Sequence, residues 1–399
     1  MDNFFDIFPT PYPYDVKDRI SKGMRLSFDL SDELNFIFPK RKNIKNLNVL
    51  VVGCGYNEAI FRALRSPKSS FTAIDISKKA IDHHKEQIKD YNIKNLTLFE
   101  LDILNFNKDK FDVIYCMDFI SYQKSPSKII RHLSSLLNNN GVILCSLDTS
   151  FYFREVDHIR NMFLDLGYSF NNADHINEAF ELVKKLDPFH PSRIAILKMD
   201  KNQAKIDDFI DINEFSSRFL KPINNSFSVK EIFKLIEKTD LYFQSWYDNA
   251  LYYPSINLAD SFLPSFQDKL NRRDLISQWD SICSIKGPYI KHFKHTFCLS
   301  ESKRNLFIFD NIFKSKNFYV ALRPYQNIQS SSGSGSSFVI RSNFKKLLST
   351  DEESICNYLS KPRTLDEIIN SSKLNLEKSN IIDLLQKMYE SSIVYFYEI

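Results

Sequence analysis

The feature that most constrains the fold is a regular alternation of strand-like and helical patterns over residues 48–150. Five apolar, strand-like runs occupy 48–52, 71–74, 96–100, 111–116 and 141–146, and helical periodicity fills the gaps at 58–66, 78–91 and 126–137. Strands that alternate with helices form right-handed β-α-β units and a parallel sheet. The central runs are apolar on both faces, as a sheet covered by helices on both sides requires. The pattern therefore predicts an α/β fold with a doubly wound, mostly parallel sheet.

The length and composition suit a globular protein of two or three domains. The chain has 399 residues, of which 43% are hydrophobic and 26% are charged, and this length exceeds what one ordinary core supports. The 53 basic and 49 acidic residues are interspersed and leave a net charge of +4. Because nucleic-acid binders concentrate positive charge on one face, this distribution does not predict a nucleic-acid partner.

The cysteines and the N-terminal residues bear on the cellular compartment. Six cysteines are scattered without a C-x-x-C pair, so we expect neither a disulfide framework nor a metal site. The first nine residues carry two acids and no basic residue, unlike a signal peptide. No apolar run reaches the roughly 18 residues that a membrane span needs. The sequence thus predicts a cytoplasmic protein without a membrane partner.

A glycine-rich turn follows the first strand directly. Residues 53–58 read Gly-Cys-Gly-Tyr-Asn-Glu, and a helical pattern comes next. Glycine permits backbone angles and close approaches that a Cβ would block, and the free N–H groups at a helix start suit a carboxylate or phosphate. Gly53, Cys54, Gly55 and Asn57 are therefore candidates for contact with a bound ligand.

Two acids end the next two strands. Asp75 lies twenty residues after Gly55, a position that suits a carboxylate accepting both hydroxyls of a ribose. Asp102 ends the third strand, and Ile103 beside it offers an apolar face for an adenine ring. Because the carboxyl ends of parallel strands meet at one crevice, we expect these side chains to surround a single ligand.

Three further residues complete the candidate cofactor site. Ile76 follows the first of these acids, and Met117 and Tyr122 follow the fourth strand. All three come after the carboxyl end of a predicted strand, beside the same crevice. Each feature alone is weak evidence, but the combined set of glycines, acids and strand ends is much harder to explain by chance.

These motifs closely resemble those of the class I S-adenosylmethionine-dependent methyltransferases. Residues 50–55 are similar to the glycine motif of this family. Residues 73–77 and 101–103 are similar to the segments that carry its ribose-binding acid and its adenine-binding acid, respectively. Residues 111–116 are similar to its fourth-strand motif, and residues 136–144 are similar to its turn into the fifth strand. The resemblance implies a Rossmann-like fold with S-adenosylmethionine as the cofactor. It also implies methyl transfer to an unidentified acceptor, either a small molecule or a protein side chain.

A looser resemblance extends to bacterial members of this superfamily that carry helical and C-terminal extensions. The Pro-Tyr-Pro of residues 11–13 resembles their N-terminal segment. Residues 219–246 resemble a stretch that follows their catalytic domain. The resemblance implies that the segments on either side of residues 48–150 are also typical of these bacterial methyltransferases.

The sequence departs from the family pattern at two positions. Asn57 stands where the family usually has a third glycine, and asparagine tolerates left-handed backbone angles; we expect its amide to narrow the methionine end of the site. Ser121-Tyr122 stands where many relatives carry a His pair, so a histidine base is absent there. We assign no catalytic residue from the sequence, because methyl transfer chiefly requires alignment and exclusion of water.

Two other functions fit part of the pattern. An NAD-dependent oxidoreductase also has a G-x-G turn with an acid twenty residues later, but Glu58 would place negative charge at the pyrophosphate and Asp102 would have no role. A catalytically inactive, methyltransferase-like scaffold or regulatory protein is the second alternative, because Asn57 and the long extensions depart from the family pattern.

The rest of the chain predicts additional units. Residues 1–47 form an N-terminal arm with a helical pattern over 16–38, and the prolines and tyrosines at 9–14 predict either a packing element or an aromatic cover over the ligand. Residues 48–250 are assigned to the cofactor-binding domain with a helical extension. Residues 251–329 are assigned to an α+β extension.

A Ser/Gly run at 330–337 predicts a flexible linker and the clearest domain boundary. Beyond it, 338–399 contains three short helical patterns, the first two opened by capping boxes at 350–353 and 364–367. A strand-like run follows at 393–397. These elements predict a winged-helix-like module that contacts protein, because its third helix has too few basic residues for DNA reading.

Overall fold

The computed structural model describes residues 4–9, 13–21, 30, 33–34, 46–107, 109–197, 209–258, 264–286, 294–302, 318–324, 326–330, 337–341, 344–374 and 376–398. Parts of three sequence predictions lie outside these described residues. They are residues 11–12 of the Pro-Tyr-Pro segment, most of residues 22–38 in the helical pattern that was predicted over 16–38, and residues 331–336 of the Ser/Gly run.

A central sheet of eight strands organises the first three quarters of the chain. The strands are β1 (Asn48–Val52), β2 (Ser70–Asp75), β3 (Leu96–Glu100), β4 (Phe111–Cys116), β5 (Leu137–Thr149), β6 (Ser226–Phe227), β7 (Tyr242–Trp246) and β8 (Lys294–Ser300). Their order is β3-β2-β1-β4-β5-β8-β7, with β6 paired to the end of β5. Strands β1 to β5 run parallel, and β8 runs antiparallel to both of its neighbours. The predicted Rossmann-like, mostly parallel sheet is confirmed.

Helices cover both faces of the sheet because its central strands are apolar on both faces. Leu50 and Val52 of β1 pack into one core, whereas Val49 and Val51 pack into the other, as the two-residue period of a strand dictates. The first core is covered by the helices Pro126–Ser135, Val229–Ile236 and Leu275–Lys286. The second core is covered by Glu58–Arg65 and Lys78–Tyr91.

Strand β8 lies in the interior of this sheet, although its residues fall in the segment 251–329 that the sequence assigns to a separate extension. It pairs with β5 on one side and β7 on the other, and Phe297 and Leu299 are fully buried. The sheet therefore continues past the expected limit at residue 250. A local sequence pattern reveals that a strand exists but does not reveal which distant strand it pairs with.

A helical unit is inserted after β5. Its helices are Ser150–Asp165, Ala173–Lys185, Pro191–Ala195 and Ile212–Phe219. Phe163, Phe215 and Phe219 are fully buried in its core. Beyond this unit the chain returns to the carboxyl edge of the sheet, where the Asn225 N–H donates to the Ser121 carbonyl at 2.7 Å.

The remaining helices are short and lie in the N-terminal arm and in the loops around the sheet. They are Phe4–Ile7, Val16–Ser21, Pro254–Asn257 and Pro264–Asn271, with 3-10 turns at Ile103–Asn105, Ile120–Tyr122 and Asn249–Leu251. In the described part of the chain no helix is long and apolar enough to cross a membrane. The same part contains no cluster of three or more His, Cys, Asp or Glu side chains suited to a metal ion.

The C-terminal unit contains two small sheets and three helices. Its strands are β9 (Phe318–Leu322), β10 (Asn327–Ser330), β11 (Ser337–Arg341), β12 (Phe344–Leu347), β13 (Arg363–Thr364) and β14 (Val394–Glu398), and its helices are Thr350–Tyr358, Leu365–Ile369 and Lys378–Glu390. The capping box predicted at 364–367 is present. The other forms one residue earlier than predicted, between Ser349 and Glu352. The winged-helix character of this unit stays a prediction.

The Ser/Gly run does not separate this unit from the rest of the chain. Ser330 pairs with Ser337 across it, because β10 and β11 form an antiparallel hairpin. Strand β9, which precedes the run, pairs with β13 and β14 and buries Val320 in the C-terminal core. The boundary expected at 330–337 therefore differs from the structure, in which β9 (Phe318–Leu322) already belongs to the C-terminal unit.

This unit contacts the loop that follows β7. The Asn249 N–H donates to the Ser392 hydroxyl at 2.8 Å, and the Asn249 side-chain amide donates to the Tyr389 carbonyl at 3.2 Å. Ser255 donates to the Glu390 carboxylate.

The position of β9 leads to a prediction about truncated chains. A chain ending at 337 retains β9 but loses β13, β14 and the helices that cover Val320, whereas a chain ending at 302 removes the whole unit. We expect the first to aggregate and the second to stay monomeric, because unpaired strands with apolar faces associate. Size-exclusion chromatography of both chains measures this. Equal monomer recovery would contradict the assignment of β9 to the C-terminal core.

Candidate functional site

The glycine turn after β1 adopts backbone angles that favour glycine. Gly53 and Gly55 have φ angles of +63° and +52°, in the left-handed region that a Cβ disfavours. A Cβ on Gly53 would lie 2.4 Å from Cδ2 of Phe119, whereas a Cβ on Gly55 would have no atom within 4 Å. Packing as well as backbone geometry therefore requires glycine at 53, while Gly55 leaves open space in front of the turn.

Asp75 at the end of β2 ties this turn to the neighbouring strand. Its Oδ2 accepts a hydrogen bond from the Gly55 N–H at 2.9 Å, and its Oδ1 accepts one from the Ser77 N–H at 2.9 Å. Burial raises the pKa of Asp75, and these N–H donors oppose that shift because they favour the carboxylate. An ionised carboxylate has about four acceptor positions, so Asp75 retains capacity for further donors.

Asp102 lies on the same edge of the sheet, one strand further along. It follows β3 and caps the turn Ile103–Asn105, where its Oδ1 accepts from the Leu104 N–H at 2.9 Å. The Asp102 side chain is exposed, whereas Ile103 is buried in the core. The two predicted acids thus reach one crevice from the adjacent strands β2 and β3.

A cavity of about 1320 Å³ lies at the carboxyl ends of β1 to β4. Seven of the ten predicted site residues line it: Gly53, Gly55, Asp75, Ile76, Asp102, Ile103 and Tyr122. Pockets for a single small ligand usually span roughly 300–1,000 Å³. The cavity is therefore large enough for a nucleoside cofactor together with a second molecule.

The other three predicted residues lie behind the turn and do not line the cavity. Cys54 is buried in the core, and this burial raises the pKa of its thiol. Met117 packs against the same core. Asn57 is also buried, and its side-chain oxygen accepts from the Tyr14 N–H at 3.2 Å. The Asn57 amide therefore anchors the N-terminal arm and does not narrow the cavity as the sequence suggested.

The N-terminal arm covers one side of the cavity. Phe5 and Pro9 line it, and the Phe5 ring centroid lies 5.9 Å from that of Tyr122. The Ser77 hydroxyl donates to the Asp6 carboxylate, which fixes the first helix over the strand ends. Tyr14 and Val16 pack on the second core, so the arm is a packing element, and its role as an aromatic cover over a ligand stays a prediction.

Five charged or polar side chains lie close together beside the cavity, near the carboxyl ends of β4 and β5, and we call them the inner charge cluster: Asp118, Tyr122, Asp148, Lys221 and Lys294. The Lys294 Nζ lies 2.8 Å from Asp118 Oδ1 and 3.3 Å from Asp148 Oδ1. The Lys221 Nζ lies 3.5 Å from the centroid of the Tyr122 ring. Asp118, Tyr122 and Lys294 line the cavity.

The members of this cluster shift one another's protonation. Burial by itself would raise the pKa of Asp118, but Lys294 brings that pKa below its ordinary value. Burial alone would lower the pKa of Lys294, but Tyr122 and the two carboxylates raise it well above its ordinary value. Burial lowers the pKa of Lys221 to about 7. The cluster thus contains one lysine that is ion-paired with two carboxylates and one lysine whose pKa burial lowers.

Sequence reasoning found only Tyr122 in this cluster. The missing information was strand pairing, because the antiparallel register of β5 and β8 places Lys294 directly opposite Asp148. Lys221 arrives from the segment that follows the helical unit, far along the chain. A lone lysine in a loop gives no local signal that would mark it as part of a cavity wall.

Comparisons with known proteins agree with this geometry. Residues 50–143 match a family described as a methyltransferase domain. The uncharacterized protein RP028 of Rickettsia prowazekii is 31% identical over 170 residues, which cover 41% of this chain and 68% of that protein. A ubiquinone biosynthesis O-methyltransferase of Coxiella burnetii is 30% identical over 106 residues, which cover 26% of this chain and 44% of that enzyme.

Solved structures share the fold over nearly the whole chain. The structure of PKMT2 from Rickettsia typhi has a TM-score of 0.62 and 19% sequence identity, and the match covers 92% of this chain and 74% of that one. The structure of the same protein in complex with AdoHcy also has a TM-score of 0.62 and 19% sequence identity, and the match covers 97% of this chain and 77% of that one. The C-terminal extension therefore recurs in a known structure together with the central sheet.

The fold and the glycine turn with its two acids define a class I S-adenosylmethionine-dependent methyltransferase. The chain belongs to this superfamily and to the same family as RP028. S-adenosylmethionine is its cofactor, and the open space at Gly55 beside Asp75 suits the adenosyl group. The relatives favour neither the oxidoreductase nor the inactive scaffold. The chain spans less than half the length of the matched O-methyltransferase.

The two glycines provide a matched pair of variants that test the turn geometry. We expect Gly53→Ala to lower the free energy of unfolding by about 3 kcal/mol, because it combines left-handed strain with a clash against Phe119. Gly55→Ala brings the strain alone and should cost about 1 kcal/mol. Urea unfolding followed by circular dichroism measures both values. Equal losses would contradict the close packing of Phe119 on Gly53.

Proposed function

We propose that the protein transfers a methyl group from S-adenosylmethionine to an acceptor bound at the inner charge cluster. The observation that carries this proposal is a single cavity lined at one end by Gly55, Asp75 and Asp102 and at the other by Tyr122 and Lys294. The first group suits a nucleoside. The second suits a polar reacting group, so donor and acceptor would meet in one shared cavity.

Each residue of the nucleoside end has a proposed role. Asp75 accepts hydrogen bonds from the ribose hydroxyls, and Asp102 accepts one from the adenine amino group. Ile76 and Ile103 contact the apolar faces of the nucleoside, and the backbone between Gly53 and Gly55 approaches the methionine part. Cys54 and Asn57, which are buried, and Met117, which is partly buried, support this turn from behind.

The acceptor end supports alignment and water exclusion. Bound S-adenosylmethionine supplies a methyl group that is transferred by in-line displacement, which depends on positioning more than on acid–base strength. Phe5 covers this end from the N-terminal arm, and its ring lies beside Tyr122. Pro222 and Ile223 add an apolar wall. These groups would hold an acceptor against Tyr122 and keep bulk water out.

The acceptor is either a small molecule or a protein side chain with an ionisable N–H or O–H group. The matched O-methyltransferases act in ubiquinone biosynthesis by name, and the alignment with them covers 106 residues of this chain. The volume left beyond a nucleoside and the mixed apolar and charged lining both suit an acceptor with an apolar body and a polar reacting group.

Calorimetry with three nucleosides tests the proposed function. We expect S-adenosylmethionine and S-adenosylhomocysteine each to bind with one-to-one stoichiometry, because both carry the adenosyl group that Asp75 and Asp102 recognise. NAD should not bind, since Glu58 lies at the start of the helix that would receive its pyrophosphate. Tight binding of NAD alone would overturn the proposal in favour of an oxidoreductase, and binding of none would favour a scaffold.

A substitution at Asp75 tests the ribose site. We expect Asp75→Ala to weaken binding of S-adenosylhomocysteine by about 2 kcal/mol, which is roughly 30-fold in the dissociation constant, because it removes a charged hydrogen-bond acceptor. Asp82→Ala is the control, since Asp82 lies on the following helix and forms only surface ion pairs with Lys78 and Lys85. Unchanged affinity in Asp75→Ala would show that the ribose lies elsewhere.

A further inference from the structure

The start of the N-terminal arm links two parts of the molecule beside the cavity. The Phe4 ring packs edge-on against Phe170 of the helical unit, with 5.1 Å between the ring centroids. Two residues later, the Asp6 carboxylate accepts a hydrogen bond from the hydroxyl of Ser77, which lines the cavity beside the proposed ribose site. Phe5 lies between these two anchors and also lines the cavity. This segment therefore joins the helical unit to the proposed nucleoside end, with an aromatic ring at the cavity wall.

Two buried side chains anchor this segment, residues 4–9, which we call the strap. Within the strap only Phe4 and Phe8 are buried, and their ring centroids lie 5.4 Å apart. The Ile7 side chain on the same short helix is 39% exposed. Lys79 adds one exposed contact, in which its Nζ donates to the Asp6 carbonyl at 3.2 Å. A short segment with two buried anchors opens at a much lower free-energy cost than the sheet that it covers.

The next described part of the arm is attached to the central sheet independently of the strap. The Tyr14 N–H donates to Asn57 Oδ1 at 3.2 Å, and the Tyr14 carbonyl accepts from the Gln87 side-chain amide at 3.3 Å. Val16 is fully buried in the second core. The strap is therefore able to leave the cavity while Tyr14 and Val16 stay packed on the domain.

Ser77 connects the strap to the carboxylate that is proposed to bind the ribose. Its N–H donates to Asp75 Oδ1 at 2.9 Å, and its hydroxyl donates to Asp6. Burial is the main cause of the raised pKa of Asp75, and the charge of Asp6 acts in the same direction, because neighbouring carboxylates repel each other. Closure of the strap thus brings two like charges together. Ribose hydroxyls that donate to Asp75 would offset this repulsion, so a bound nucleoside favours the closed strap.

We propose that the strap closes over S-adenosylmethionine after it binds and opens again to release S-adenosylhomocysteine. This inference rests on the proposed function, because it requires a nucleoside in the cavity that Phe5 and Asp75 line. In the closed position Phe5 and Pro9 complete the cavity wall and exclude water during methyl transfer. In the open position they leave this side of the cavity accessible to solvent. The strap thus limits the rates at which nucleosides enter and leave.

The binding kinetics of S-adenosylhomocysteine test this inference, and surface plasmon resonance on the full chain measures them. Phe4→Ala removes a buried ring that anchors the strap but does not line the cavity. We expect the association and the dissociation rate constants both to rise by about tenfold, because truncation of a buried phenylalanine strongly weakens packing. A variant that only lost a contact with the nucleoside would raise the dissociation rate constant alone.

Ile7→Ala is the matched control, because it truncates an exposed apolar side chain on the same short helix. Both rate constants should equal those of the unmodified chain. An association rate constant that is unchanged or lower in Phe4→Ala would overturn the strap and leave the methyltransferase function standing. If the unmodified chain binds neither S-adenosylmethionine nor S-adenosylhomocysteine, the proposed function and this inference fail together.

Hydrogen exchange of the unmodified chain keeps the inference testable if Phe4→Ala does not fold. The Phe8 N–H donates to the Phe4 carbonyl at 2.8 Å, so its exchange reports on the helix of the strap. Saturation with S-adenosylhomocysteine should slow exchange in residues 4–9 by at least about fivefold, because the nucleoside favours the closed strap. The helix Ile212–Phe219 of the helical unit is the internal control, and its exchange should not change. Equal exchange of the strap with and without the nucleoside would overturn the inference.

Discussion

The backbone turn after β1 is the constraint on which the rest of the site depends. Its left-handed glycines let the chain leave the strand without a side chain in front of it, and Asp75 holds the turn through the Gly55 N–H. The same carboxylate lies at the cavity wall, so one residue both fixes the turn and faces the ligand space. Phe119 packs closely on Gly53, whereas no atom lies within 4 Å of the position that a Cβ on Gly55 would take.

Most of the proposed nucleoside end could be predicted, because local chain geometry and parallel strand order position its residues. A strand, a glycine turn and a helix are contiguous, and parallel strands bring their carboxyl ends to one edge, so Gly55, Asp75 and Asp102 were placed correctly in one crevice. Asn57 shows the limit of this reasoning. The sequence predicts that its amide faces the cavity, but its hydrogen-bond partner, Tyr14, lies 43 residues away and has no signature in the local pattern.

The proposed acceptor end could not be predicted, because it is assembled by pairing between strands that are far apart in the sequence. Lys294 comes from β8, a strand whose place between β5 and β7 follows from packing rather than from spacing. The same difficulty explains why the domain boundary predicted at the Ser/Gly run differs from the structure. The composition of the run is typical of a linker, but the residues on either side of it pair as strands. Composition predicts the conformation that a segment adopts in isolation, whereas pairing with other strands determines the conformation that it adopts in the fold.

The central claim is that one cavity holds the adenosyl group against two acids and directs the reacting sulfur toward Tyr122. A crystal structure of the full chain with S-adenosylhomocysteine tests this most directly. We expect the ribose within hydrogen-bond distance of Asp75, the adenine beside Asp102 and Ile103, and the sulfur facing the inner charge cluster. Electron density for the nucleoside outside this cavity, or with its sulfur turned away from Tyr122, would contradict the account.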